Sequence, residues 1–224
     1  MKNEDIYALE SIDKLNVYNS FIFEKVIKKI KFNKVLDFGC GFGTFIQYAM
    51  EKHSLEITGH EINPQALKIL DKKEINYITS LDSSKEYFDT IVSMNTLEHI
   101  KDDVKTLNEL NNMLKQDGLL ILYLPQSMKI WTNLDDLVGH YRRYTKKDLT
   151  NKLELTNFQV TSAEYVDTVG WLILYLTKHL KIKLNYSQKK LIFYDRYIFR
   201  FFKFLDILFS NFFGKNILIT AKKI

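Results

Sequence analysis

The chain has 224 residues, 46% hydrophobic and 26% charged. This excludes a disordered or fibrous chain and suits one α/β domain with an elaboration. The single cysteine, Cys40, forms no internal disulfide, and no run of about 18 apolar residues offers a membrane-spanning helix. The N-terminal MKNEDIYALESIDKL has early acids and no long apolar core, so it does not read as a signal peptide, and the expected location is the cytoplasm. The net charge of +5 is unevenly spread: residues 181–224 hold ten Lys/Arg against two Asp, leaving the remainder net acidic. Such asymmetry fits contact with an anionic surface, and equally an ordinary solvated basic face.

Ile12, Leu15, Tyr18, Ile22, Val26 and Ile30 recur at spacings of three and four, which predicts an amphipathic helix within an N-terminal segment, 1–32. KVLDFG then reads as a buried strand, 43–52 as a helix and ITGHEI (57–62) as a second strand. Asn63 is placed to cap the next helix, with Pro64 at its first position, where a missing N–H costs nothing. INYIT (75–79) is a weak third strand and FDTIVSM (88–94) a fourth, followed by a helix over 102–115. Asp117–Gly118 reads as a turn before a fifth strand, LLILYLP (119–125), whose one polar residue is Tyr123. A polar, aromatic loop (126–145), a helix (146–155), a strand (158–166) and a last strand (216–223) complete the order.

Strand and helix alternate throughout. The predicted fold is a Rossmann-like, mostly parallel seven-stranded sheet with helices on both faces. Its core spans 33–166 and recruits 214–224 as its last strand, with an aromatic and basic helical insert, 167–213, between them.

The chemistry centres on Asp37-Phe38-Gly39-Cys40-Gly41-Phe42-Gly43-Thr44, a strand ending in an acid, a glycine-rich turn and then a helix. Glycines at 39, 41 and 43 allow a sharp turn and close approach of a ligand. Glu61, at the end of the next strand, is placed to accept hydrogen bonds from ribose hydroxyls. A dinucleotide site uses GxGxxG and a pyrophosphate at the helix N-terminus. Here Thr44 stands where the third glycine belongs, and Asp37 adds a negative charge that suits an ammonium or sulfonium group better than a pyrophosphate.

VLDFGCGFGTF, the Glu61 strand end, FDTIVSMNTLEHI and DGLLILYLP together resemble the class I S-adenosylmethionine-dependent methyltransferases. LDDLVGHYRRYTKKDL (134–149) and the tail FYDRYIF…FGKNILITAKK are similar to a bacterial subgroup associated with glycan and glycolipid biosynthesis. The resemblance implies S-adenosylmethionine as cofactor. Asp37, Gly39, Cys40, Gly41 and Gly43 would lie along its methionine part, Glu61 on the ribose, and Ile62, Ser80 and Leu81 around the adenine. Ser80 departs from the Asp often found there, a role Asp82 is placed to take. Asn95 and Thr96 would face the methyl group and the acceptor.

Methyl transfer to oxygen needs alignment and usually a base. His99, after the fourth strand, and His140, after the fifth, are the candidates, each set against a purely structural role. Arg142 and Arg143 offer forked donors for an anionic acceptor, flanked by Tyr141 and Tyr144; the alternative is pairing with Asp135 or Asp136. Glu98 and His99 supply two ligands where a catalytic zinc takes three from protein, so no obligatory metal is expected. Cys40 reads as a small packing residue. The segment 191–213 suits a lid, a dimer face, core packing, or peripheral contact with the inner face of the membrane.

The expected activity is methylation, on oxygen, of a small-molecule, glycan or lipid-linked acceptor. A non-catalytic cofactor-binding scaffold and an NAD-dependent oxidoreductase remain as alternatives. Nucleic acid is disfavoured as acceptor, because Asn95-Thr96-Leu97-Glu98 lacks the Pro-Pro-aromatic run of base N-methylation.

Overall fold

The computed structural model describes residues 10–11, 13–31, 34–81, 85–184 and 187–224. Seven strands, β1 (Val35–Phe38), β2 (Ile57–His60), β3 (Tyr77–Ile78), β4 (Phe88–Met94), β5 (Leu114–Pro125), β6 (Phe158–Val166) and β7 (Asn216–Lys223), form one sheet in the order β3-β2-β1-β4-β5-β7-β6. The first five pair in parallel, and β7 runs antiparallel to both its neighbours. Strand order reverses between β1 and β4, so the carboxyl ends of these two strands open the crevice where such sheets bind ligands.

The helices are α1 (Asn16–Ile27), α2 (Thr44–His53), α3 (Pro64–Lys72), α4 (Asp103–Met113), α5 (Asn133–Leu137), α6 (Lys146–Leu155) and α7 (Thr168–His179). Period-two alternation along the central strands divides the core between two faces. Val35, Val92, Ile121, Tyr123 and Leu218 pack with residues of α1, α2 and α3. Their sequence neighbours Leu36, Ile91, Leu120, Leu122, Ile217 and Ile219 pack with α4 and α6. Tyr123 is tolerated in this interior because its hydroxyl meets that of Tyr18 on α1 at 2.7 Å.

The sheet, its mostly parallel sense and the helices on both faces agree with the sequence reading. Asn63 caps α3, its side chain accepting from the amides of Gln65 and Ala66. The turn expected at Asp117–Gly118 is instead an irregularity inside a longer β5. Leu114 pairs with Phe88 and Leu119 with Thr90, and the register shifts between them. Asp117 takes φ +66° there, and a Cβ on Gly118 would meet the Lys115 carbonyl at 2.8 Å. Ile12, part of the N-terminal periodicity, lies outside the described residues.

The insert is docked by its acids. It continues beyond α7 as helical runs over Gln188–Phe193, Tyr194–Phe199, Arg200–Phe202 and Leu205–Phe209, the second of them a π-helical turn. Helix α1 has no side-chain cap of its own. The amides of Val17 and Tyr18 in its first turn donate to the Asp195 carboxylate at 3.2 and 2.7 Å. Asp206 likewise accepts from the amides of Asp167 and Thr168, both at 2.8 Å, where α7 begins. Each acid satisfies N–H groups that a helix start leaves open, and each is buried, at 2% and 3% exposure.

Candidate active site

The glycine turn after β1 depends on backbone that side chains rarely adopt. Gly39, Gly41 and Gly43 take φ of +75°, +54° and +72°, and a Cβ on Gly39 would overlap the Thr96 side chain. The amides of Gly39 and Cys40 donate to the His60 carbonyl at 2.9 and 3.0 Å, tying the turn to the end of β2.

Glu61, one residue on, links the turn to α3. Its Oε2 accepts from the Gly41 amide at 2.9 Å, and its Oε1 from the amides of Ile62 and Asn63 at 2.8 Å each. Three backbone donors thus orient this carboxylate, and a carboxylate has acceptor capacity beyond three bonds. Asp37 is buried at the end of β1. Burial, and then the nearby Glu61 charge, push its carboxyl up to about 7. Burial, followed by the Asp37 and Glu61 charges, also raises the Cys40 thiol, which disfavours a thiolate there.

The other expected cofactor positions lie at the same strand ends. Ile62 is 71% exposed, a large apolar surface beside Glu61. Ser80 follows β3, and the adjoining Leu81 is half-buried against the α4 side of the core. Asp82 lies outside the described residues. Asn95 takes φ +50°, and its Oδ1 accepts from Asn216 Nδ2 at 3.1 Å. Thr96 donates to the Met94 carbonyl and rests on Gly39.

After β4 and β5 the chain builds a charged cluster. Leu97–His99 form a single 3₁₀ turn. The Tyr141 amide donates to the Glu98 carbonyl at 2.8 Å, holding the two loops together. His140 Nδ1 lies 2.8 Å from Asp135 Oδ1. Burial raises the Asp135 carboxyl, but the His140 hydrogen bond and the Arg143 guanidinium outweigh it and bring it down to about 2. An ionised Asp135 can only accept, so His140 carries its proton on Nδ1 and presents Nε2. That atom sits 3.8 Å from Glu98 Oε1, and the rings of His99 and His140 meet edge-on with centroids 4.7 Å apart.

Both arginines of this loop have partners within the protein. Arg143 takes the alternative partner expected for it: its Nε and Nη2 bind Asp135 at 2.7 and 3.1 Å in a nearly buried fork. Arg142 pairs with Asp103 at 2.6 Å and donates to the Lys101 carbonyl. Tyr144 is a core residue, fully buried, its hydroxyl donating to Asp103 Oδ2 at 2.9 Å. Tyr141, 57% exposed, remains on the surface of the loop.

Sequence reasoning left out Glu98 as a site residue, although it adjoins His99. It is fully buried and neither carboxylate oxygen has a hydrogen-bond partner. Burial pushes its carboxyl up to about 8, opposed by the Arg143 charge and aided by Asp135.

The glycine turn and the charged loops thus lie side by side at the carboxyl ends of β1 and β4. The methyltransferase-domain family matches residues 18–163, and the chain belongs to it, as a class I S-adenosylmethionine-dependent methyltransferase. S-adenosylmethionine is accordingly its cofactor, and the oxidoreductase and non-catalytic alternatives are set aside.

An uncharacterized protein of Methanocaldococcus jannaschii is 27% identical over 158 residues, 68% of this chain and 67% of that protein. A ubiquinone biosynthesis O-methyltransferase of Actinobacillus pleuropneumoniae is 29% identical over 39% of this chain and 43% of its own. A sphingolipid C9-methyltransferase of Gibberella zeae is 23% identical over 83% of this chain and 42% of its own. The chain therefore spans less than half the length of these last two relatives. Among solved structures, an S-adenosylmethionine-dependent methyltransferase from Archaeoglobus fulgidus superposes with a TM-score of 0.61 at 20% identity, covering 91% of this chain and 94% of that one. No helix among the described residues is long and apolar enough to cross a membrane.

Proposed function

We propose that this enzyme methylates an oxygen of a lipid-linked or glycan acceptor at a membrane surface. The observation that carries the placement of the cofactor is the Gly41–Glu61 bond. It sets a carboxylate beside a left-handed glycine turn at the point where strand order reverses. S-adenosylmethionine brings a methyl group already activated on a sulfonium. Asp37 and the turn from Gly39 to Gly43, with Cys40, would hold its amino-acid part. Glu61 would accept from the ribose, and Ile62, Ser80 and Leu81 would border the adenine. Asn95 and Thr96, against the turn, would line the passage to the acceptor.

His140 is the group assigned to take the acceptor's proton. Asp135 fixes its tautomer and stabilises the charged ring, and such a base contributes about 10²–10⁴-fold. His99 borders it, and Tyr141 offers an exposed aromatic face to the acceptor. A small soluble acceptor uses the same groups.

The lipid part of the reading rests on the insert. Its three acids, Asp167, Asp195 and Asp206, are all buried, so basic and apolar residues remain outside. Phe193, Phe201, Phe204, Ile207, Leu208 and Phe212 are all more than half exposed, far beyond the scattered apolar residues of an ordinary surface. Aromatic residues interleaved with Lys and Arg suit an anionic interface. Two relatives are named for ubiquinone and sphingolipid chemistry, which is in keeping.

The test is transfer of labelled methyl from S-adenosylmethionine into a lipid extract, with and without vesicles containing anionic lipid. Label in a base-stable lipid ether or a glycan methyl ether, increased by the vesicles, is the expected result. Label only in a carbon- or nitrogen-bound methyl overturns the assignment to oxygen, and transfer indifferent to vesicles overturns the membrane surface.

A further inference from the structure

We propose that Glu98, His99 and His140 together bind one divalent transition-metal ion. The proposal deepens the reading above, since it concerns the same end of the crevice. Adjacent in sequence, Glu98 and His99 supply only two ligands. The fold adds a third from another loop, and one ligand atom from each of the three residues lies within 4.8 Å of the other two.

Two further observations point to a cation. The Glu98 carboxylate is fully buried and unpartnered. A carboxylate without donors in the interior is costly, and buried charges are normally paired or bound to a metal. The separation of 3.8 Å between Glu98 Oε1 and His140 Nε2 is too long for a hydrogen bond. It does let both atoms lie about 2.0–2.2 Å from a shared ion.

The second observation is Asp135. Metal-ligating histidines usually donate their other ring N–H to a carboxylate, which fixes the tautomer and raises the basicity of the ligating nitrogen. His140 does this to Asp135 at 2.8 Å and turns Nε2 toward Glu98. Arg143 forks onto both oxygens of Asp135, sharing Oδ1 with His140, and holds the carboxylate in place. Two imidazoles and one carboxylate favour Zn²⁺, Mn²⁺ or Fe²⁺ over Mg²⁺ and Ca²⁺, which take oxygen ligands. Three protein ligands leave coordination positions open, as in catalytic rather than structural sites. With the ion bound, His140 Nε2 would be a ligand in place of the base assigned to it above, and the cation would supply the acidification of an acceptor hydroxyl.

The experiment is titration of the chelator-treated full chain with Co²⁺, read by its visible ligand-field absorption and by metal content, with Zn²⁺, Mn²⁺ and Mg²⁺ as competitors. S-adenosylhomocysteine binding is measured in parallel by calorimetry. The expected result is one Co²⁺ per chain, displaced by Zn²⁺ and not by Mg²⁺. Glu98→Gln and His140→Asn should each weaken it more than tenfold, and Asp135→Asn about 10–100-fold, the usual cost of losing such a partner. His99→Asn changes an exposed residue and serves as the ligand variant should the buried ones misfold. Absence of stoichiometric Co²⁺, or equal affinity in His99→Asn and the wild type, overturns the site. Either can occur with S-adenosylhomocysteine bound normally, which leaves the methyltransferase reading standing. Failure of the nucleoside to bind strikes at that reading alone.

Discussion

Asp135 is shared by two partners: His140 Nδ1 and the Arg143 guanidinium both reach its Oδ1, at 2.8 and 2.7 Å. One carboxylate thus anchors the loop after β5 and sets the direction of an imidazole. Asp135→Asn leaves Arg143 buried without its counter-charge, a loss of about 3–5 kcal/mol for pairs of this kind. It also frees the His140 ring. Urea unfolding should show the stability loss, and methyl transfer should fall roughly 10²-fold or more, the scale of a general base. Wild-type turnover in the variant contradicts the assigned role of Asp135.

Gly39 combines a left-handed backbone with direct contact to Thr96. Gly39→Ala should destabilise the protein by at least about 1–2 kcal/mol, the cost of placing a side chain in that region, with a further penalty from overlap. Adding Thr96→Gly should recover the overlap and leave the backbone cost. Thermal unfolding of the four-member cycle separates the two, and strict additivity argues against the contact.

Asp37 gives the enzyme a pH dependence near neutrality. Its folded carboxyl titrates at about 7, above the ordinary value of 3.8. Between those values the native state holds a proton that the unfolded chain has lost, so stability of the ligand-free enzyme falls as pH rises from about 4 to about 7. Binding of a cationic cofactor that needs the ionised acid has the opposite slope. Affinity for S-adenosylmethionine should drop by up to about tenfold per unit below pH 7. Asp37→Asn should flatten both profiles. A cofactor affinity independent of pH in the wild type removes Asp37 from contact with the charge.

The exposed insert separates docking from stability. Ile207 and Phe212 are 84% and 72% exposed. Ile207→Asp and Phe212→Asp should each change stability by less than about 0.5 kcal/mol, as surface changes usually do. Both should abolish co-sedimentation with anionic vesicles. Vesicle binding unaffected by the pair rules out this face.

The insert's inner side behaves in the opposite sense. Asp195→Ala strips a partner from two amides of α1. Leaving buried donors unsatisfied costs about 1–3 kcal/mol each. Limited proteolysis should then cut first at the start of α1, within 13–18. Resistance equal to wild type argues that α1 finds its cap elsewhere.

Much of this fold was legible because its signals are local. Strands β4, β6 and β7 and helix α6 coincide with their expected bounds, since each is a short periodic run between turn residues. The start of β5 was hidden. Lys115-Gln116-Asp117-Gly118 carries turn chemistry, yet pairing of Leu114 with Phe88 draws it into the strand. At the site, the glycine turn and Glu61 were readable as a motif. The pairing of Arg142 with Asp103, 39 positions away in the chain, and the meeting of His140 with Glu98 depend on how the loops after β4 and β5 lie together. No spacing rule reports that. The seating of the insert was not legible either, since it depends on Asp195 and Asp206 meeting backbone amides of α1 and α7.

Strand β7 follows the whole insert in sequence, yet in space it lies between β5 and β6. During synthesis β6 therefore emerges with no neighbour to join, and its edge stays open while more than forty further residues are made. Closure of the sheet and seating of α1 by Asp195 both wait for the C-terminal quarter of the chain. Assembly order is thus imposed by strand order, and a ribosome stalled within the insert would release an enzyme whose nucleotide turn is written but whose sheet is unfinished.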